Sequence, residues 1–320
     1  MSGMPLASAP AAIGLNGLRP VHFADEITFH TPGLRSHRTS EVTGSMNEFV
    51  SISVTGAACA LNCDHCQTKV LTSMVSLPQA EGGLFELCQR LKARGARGVL
   101  VSGGSDLAGR VPLKAHIPDL IRIRRELGLV VRVHTGLADD ATCAALAEVG
   151  VDGIMVDVIG DRETIRDVYH LDHTPDDYKA LLARLEHWGL PAIPHIILGH
   201  YYGRMLGEWA ALEMVRRHPP KTLVLVILMP LSGTPMAGVE PPSLKEIGQF
   251  FAQARRTLPT VPIQLGCAKP LGSIKNDIDR LAIDAGFNGI AYPSEGIVGY
   301  AREQGLKAQF INACCGVTWA

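Results

Sequence analysis

The feature that most constrains this chain is a repeated alternation of short apolar, β-branched runs with longer stretches of helical period. From residue 48 onward the strand candidates are 49–55, 98–102, 129–134, 152–157, 192–198, 222–229, 261–265 and 288–292. Between them lie amphipathic segments such as LFELCQRLKARG, IPDLIRIRRELG, DDYKALLARLEHWG and SLKEIGQFFAQARRTLP, many closing on a glycine suited to a helix C-cap. Eight βα units predict one α/β domain, a single (β/α)8 TIM-type barrel spanning 48–320, of the usual ~250-residue scale. Residues 1–47 are expected to be an N-terminal extension without assignable regular structure, and LKAQFINACCGVTWA an extended C-terminal tail. An open doubly wound sheet is the weaker reading, because no G-x-G-x-x-G follows the first strand.

Composition narrows the function. The 320 residues carry a formal net charge of −1 and are 47% hydrophobic against 19% charged. There is no basic excess to meet a nucleic-acid backbone, and no apolar run of the ~18 residues that would suggest a membrane span. The lead has no cationic segment of the export type, so the expectation is a cytoplasmic protein with neither nucleic acid nor membrane as partner. In that compartment eight cysteines need an explanation other than disulfides.

Three of them, Cys59, Cys63 and Cys66, follow the first strand as C-x3-C-x2-C. Three thiolates in one loop can hold three irons of a [4Fe–4S] cube and leave the fourth open, whereas a structural zinc site wants a fourth ligand at fixed spacing. In a barrel, groups at the C-terminal ends of strands make the active site, and this loop sits at such an end. Cys267 follows the seventh strand, and Cys314 and Cys315 stand in the tail, where the eighth strand closing on the first would bring them back to the mouth. Together these three are candidate ligands of a second, auxiliary Fe–S cluster, with Ser294 a speculative fourth. The alternative is three small buried apolar side chains. Cys88 and Cys143 fall inside helical patterns and are expected in the core, and His134 and His195 are more simply structural than functional.

The triplet with His65 before its last cysteine resembles the radical S-adenosylmethionine (SAM) enzymes. The resemblance implies a SAM-binding [4Fe–4S] cluster held by Cys59, Cys63 and Cys66, with His65 packed beside it. One electron from that cluster would cleave SAM to a radical that takes hydrogen from an unactivated carbon. It assigns Ser102, Gly103 and Gly104 in VSGGSD to the methionyl amino group and Gly199 and His200 in IILGHYYG to the nucleoside; Asp157, an acid ending the fourth strand, needs partners, for which ribose hydroxyls, an ammonium or a salt bridge within the barrel would serve. Pro230, Gly233, Thr234 and Pro235 in MPLSGTPM resemble a turn found in biotin synthases.

The closing region, LGCAKPLGSIKNDIDRLAIDAGFNGIAYPSEG followed by CC, is most similar to subunits of the two-component lipoyl synthases. The single-chain type carries an extra C-x4-C-x5-C before the radical motif and a terminal Arg-Ser-Ser-Tyr; no cysteine precedes Cys59 here. The resemblance thus implies a sulfur-insertion enzyme acting on an octanoyl chain of a lipoyl carrier protein. Its partners would be a homologous subunit and a ferredoxin or flavodoxin electron donor, with Leu107, Ile159 and Leu231 as candidate lining for the chain. A biotin synthase-like enzyme acting on a small free substrate is the alternative within radical chemistry; it would use Cys267 more readily than the terminal pair. A non-enzymatic Fe–S protein is the alternative outside it.

Overall fold

The computed structural model describes residues 22–317 and Trp319. All eight anticipated strands form: β2 (Phe49–Ser53), β4 (Gly98–Ser102), β5 (Val130–His134), β6 (Gly153–Asp157), β7 (Ala192–Leu198), β8 (Leu223–Ile227), β9 (Ile263–Leu265) and β10 (Gly289–Ala291). Three further strands join them: β1 (Glu26–His30), β3 (Val75–Ser76) and β11 (Lys307–Ile311). The result is one curled, wholly parallel sheet in the order β11-β1-β10-β9-β8-β7-β6-β5-β4-β2-β3. The helices of the repeat are α1 (Leu84–Ala93), α2 (Ile117–Arg122), α3 (Asp140–Val149), α4 (Pro175–His187), α5 (Glu208–Arg217), α6 (Leu244–Thr257), α7 (Ile274–Asp284) and α8 (Ile297–Glu303). None is long and apolar enough to cross a membrane among the described residues.

Helix ends follow local chemistry. Asp139 caps α3 by accepting from the Thr142 N–H, and Ser243 and Glu246 form a reciprocal box at the start of α6. A parallel strand is buried on both faces, which is why β2, β4 and β8 are buried along their whole length. One face packs under the helices. The other points inward, where Phe49, Leu100, Met155, Ile193, Val224 and Ala291 form an inner cluster. The period of two along each strand puts Ser102, His134 and Asp157 on that inner face at the C-terminal ends of β4, β5 and β6.

Two expectations need correction. The segment before residue 48 contains a strand: β1 pairs with β10 on one side and β11 on the other. Its signal, EITFH, is too short to stand out in a polar lead, and its stability comes from those distant neighbours. Consequently the eighth anticipated strand, β10, does not close on β2; it closes on β1. The sheet ends at β11 and β3, and among the described residues no ladder joins the two ends. Asn312 stitches this seam: its Oδ1 accepts from Thr31 Oγ1 (2.6 Å) and the Ser45 N–H (3.1 Å), and its Nδ2 donates to Glu48 (2.6 Å). Past Asn312 the chain turns inward, and Ala313, Cys314, Cys315 and Val317 join the inner cluster.

The burial of β1 has a measurable consequence. Phe29 is fully buried and stacks on Phe310 with ring centroids 5.9 Å apart. Phe29→Ala should cost about 3–5 kcal/mol in urea unfolding. A loss near zero would mean that the strand is dispensable.

Candidate active site

The cysteine loop begins where β2 ends and is wound tightly by left-handed backbone at Asn62, Gln67 and Thr68, with φ of 47°, 42° and 63°. Such conformations are costly for residues with side chains and persist only where the surroundings hold them. Here the holding is explicit. Asp64 lies 3.1 Å from His170 Nε2 and accepts from the Tyr202 hydroxyl, its N–H donates to the Val168 carbonyl, and His170 Nδ1 lies 2.9 Å from the Leu61 carbonyl. A π-helical turn at Thr164–Val168 sets up Tyr169 and His170 for these contacts.

Within the loop the Cys59 sulfur accepts the Ser105 N–H (3.3 Å), and Cys63 sits 3.9 Å from the Tyr169 carbonyl. Burial pushes the Cys63 thiol up, and the nearby Cys66 and Cys59 add to it. Burial raises Cys66 as well, against a backbone hydrogen bond from Thr68. Thiols so enclosed ionise readily only when a cationic group replaces the proton, which is how metal-ligating cysteines behave. Among the described residues no three His, Cys, Asp or Glu side chains converge as ligands of a single metal ion.

The glycine pair acts on this loop. A Cβ on Gly104 would lie 2.0 Å from the Ala58 carbonyl oxygen and 2.5 Å from Cys59 Cβ, and its N–H donates to Thr55 Oγ1 (2.7 Å). The missing side chain thus lets the end of β4 press against the cysteine loop, a purpose beyond the approach to a ligand anticipated from sequence. Gly103 faces Val54 and Thr55, and Ser102 is buried with its carbonyl accepting the Val54 N–H. Thr55, Ala58, Cys59, Thr68, Gly104 and Asp106 line an open cleft of about 580 Å³ here, within the size range of small-molecule sites.

His65, Asp157 and His200, far apart in sequence, meet through a residue that sequence reasoning missed. Tyr169 packs 5.2 Å from the His65 ring and 5.0 Å from that of His200, and the two imidazoles are 4.7 Å apart. The Tyr169 hydroxyl donates to Asp157 (3.2 Å). No periodic signal marks Tyr169; only its loop position after a strand ending in an acid hints at it. Burial works against the Asp157 carboxylate, but the His134 ring N–H and the facing His134, His195 and His200 outweigh it, leaving the carboxyl below its usual range. Burial also depresses His200 strongly and His65, and the His65 Nδ1 and His200 Nε2 atoms are buried with no hydrogen-bond partner. Such orphaned atoms beside a thiol loop suit a bound polar group.

Gly199 has φ 76°, donates to the buried Glu208 (2.9 Å), and leaves no room for a Cβ against Pro242. Gly233 of the MPLSGTPM turn approaches Lys69 just past the triplet, and Thr234 is buried. Of the anticipated lining residues, Ile159 is packed in the core, Leu107 is 77% exposed, and Leu231 is half-buried. Cys88 and Cys143 are core residues, as expected.

The second cysteine set lies on the inner side of the sheet: Cys314 and Cys315 belong to the inner cluster, the half-buried Cys267 packs against it, and burial pushes all three thiols up. Lys269, fully buried and paired with Asp279, faces Cys315. Ser294 does not remain free as a ligand: its hydroxyl donates to Asp279 (2.7 Å) and accepts from Asn276 (3.2 Å).

A family model described as the radical SAM superfamily matches residues 53–206, the span from the end of β2 to the segment just before α5 that holds the triplet, the glycine pair, Asp157, Tyr169 and His200. Residues 53–206 of the chain belong to the radical SAM superfamily. Membership implies SAM and a [4Fe–4S] cluster, which the thiol loop and adjoining cleft fit. This radical SAM chain is 25% identical to a biotin synthase of Chlorobaculum tepidum over 253 residues, covering 77% of this chain and 75% of that protein. It is 26% identical to a biotin synthase of Hyphomonas neptunium over 255 residues, 77% of each. Its fold is similar to that of methylornithine synthase, with a TM-score of 0.61 at 16% identity over 92% of this chain and 87% of the other.

Two outcomes test the site. Gly104→Ala should displace the cysteine loop and remove the iron that this loop holds after anaerobic reconstitution, read by iron counting; full iron content would contradict the packing argument. His195 is depressed to about 4, chiefly by burial. Its pKa lies below the unfolded value of 6.5, so its contribution is complete above pH 6.5 and declines as pH falls toward 4. His195→Asn should flatten the pH dependence of urea unfolding across that window.

Proposed function

We propose that this radical SAM enzyme inserts sulfur into an octanoyl chain tethered to a lipoyl carrier protein. In this reading it works beside a homologous partner subunit and takes electrons from a small ferredoxin or flavodoxin. The observation that carries the reading is that Cys314 and Cys315 lie buried in the inner cluster and that Cys267, 47 residues earlier in sequence, packs against it. A second set of thiols apart from the radical-generating loop suits an enzyme that needs a sulfur source as well as a radical. When bound, the first cluster and SAM supply one-electron chemistry able to break an unactivated C–H bond; Cys59, Cys63 and Cys66 would hold that cluster, and Cys267, Cys314 and Cys315 a second one.

The remaining work belongs to the chain itself. Ser105 N–H supports the Cys59 sulfur, while Gly104 brings the end of β4 against it, placing the cleft beside the thiols. Tyr169 and His134 hold the Asp157 carboxylate beside the His65 and His200 rings, where it would orient hydroxyl or ammonium groups of a bound nucleotide. The inner cluster keeps water from the second thiol set, a requirement where a carbon radical must meet sulfur and nothing else.

A second reading is a biotin synthase-like reaction on a small free substrate. The curated relatives favour it, and so does the charge around Cys267. Arg35 and Lys269 both act on that thiol, Lys275 lies 3.5 Å from Asp279, and Arg35 stacks on Tyr292 with no carboxylate within 4.0 Å among the described residues. Such an excess of cations suits a substrate with its own carboxylate.

Mass spectrometry of an octanoylated carrier peptide after anaerobic turnover decides between them. One or two added sulfurs are expected; none, with sulfur added instead to a small free acid, would favour the second reading. Replacing Cys59, Cys63 or Cys66 by Ala should abolish SAM cleavage. Cys267→Ala should leave SAM cleavage in place while halving the iron from about eight to about four per chain.

A further inference from the structure

Arg132 lies at the middle of β5 with its side chain inside the sheet, and the residue is only 2% exposed. A buried guanidinium is costly unless an anion answers it. Among the described residues none does within 4.0 Å. Asp152, the carboxylate that reaches Arg132 electrostatically, is held by Arg124 at 2.9 Å and by the Val131 N–H. Arg132 instead spends both terminal nitrogens on the backbone of the tail. Nη1 donates to the Cys315 carbonyl (2.8 Å) and Nη2 to that of Gly316 (2.6 Å), while Nε has no partner.

Gly316 is gripped from further sides. Its N–H donates to His30 Nε2 of β1 (3.4 Å), its φ is 69°, and a Cβ there would lie 3.0 Å from Thr222 Cγ2 beside β8. Strands from three sectors of the sheet thus meet at one glycine directly after the two cysteines.

We propose that Arg132 latches the C-terminal tail inside the sheet, so that Cys314 and Cys315 face Cys267, and that it is the buried counter-charge those thiols need when they carry an iron–sulfur group. The latch stands on the hydrogen bonds alone. The counter-charge rests on the reading of a second cluster given above, and the two are separable by experiment.

The iron-free chain, kept reduced, is pulsed with N-ethylmaleimide and each cysteine is followed by peptide mass spectrometry. Arg132→Met should speed alkylation of Cys314 and Cys315 by about tenfold or more, as loss of two charge-assisted hydrogen bonds implies, while Cys88 and Cys143 keep the wild-type rate. If Arg132→Met unfolds and all cysteines accelerate together, Gly316→Ala provides the same test without disturbing the buried charge and should expose the pair selectively. Selective exposure in neither variant overturns the latch. After reconstitution, Arg132→Met should lose the second cluster's share of about eight irons, whereas Arg132→Lys, which keeps the charge but not the fork, should recover iron without recovering protection from alkylation. Retention of about eight irons by Arg132→Met overturns the counter-charge. A wild-type chain that binds only about four irons removes the second cluster and the counter-charge with it, and leaves the latch to be judged by alkylation.

Discussion

Everything in this molecule depends on the inward face of a parallel sheet that curls but does not zip shut. Parallel strands bury both faces, so each alternate residue has to be accommodated in a confined interior. Apolar side chains fill its middle, and the polar ones at the C-terminal strand ends, Ser102, His134 and Asp157, become the floor on which the cysteine loop is set. The seam between β11 and the β2–β3 edge is what distinguishes this sheet from a closed barrel. Through it the tail enters, and with it two thiols that no strand of the repeat could have supplied.

The two thiol sets are built by different physics. The first is local: ten residues, 59–68, wound with left-handed backbone at Asn62, Gln67 and Thr68 and tied down by Asp64, His170, Tyr202 and the absent side chain of Gly104. The second is assembled from distant pieces, Cys267 after β9 and Cys314 and Cys315 after β11, and depends on burial and on one guanidinium. An open cleft adjoins Cys59, whereas Cys314 and Cys315 lie buried in the inner cluster.

How far each part could be seen in advance follows from the range of the interactions that make it. The eight strands of the repeat carry β-branched runs dense enough to announce themselves, and the triplet is a local pattern with a local meaning. β1 is five residues in a polar lead whose partners lie some 260 residues away, so nothing nearby marks it. Tyr169 follows a π-helical turn that breaks the 3.6 period, and its value to the site lies entirely in rings contributed by other loops. Ser294 looked free on paper; Asp279, reached only through the fold, takes its hydroxyl.

The sequence by itself determined the α/β repeat, the thiol loop after β2 and the glycines beneath it, because each is encoded within a window shorter than one βα unit. Tertiary structure alone decided that the lead is a strand, that the ends of the sheet stay apart, and that the tail runs inward to bring Cys314 and Cys315 to Cys267. Those outcomes are settled by burial and hydrogen bonding between residues hundreds of positions apart, for which a one-dimensional pattern holds no distance.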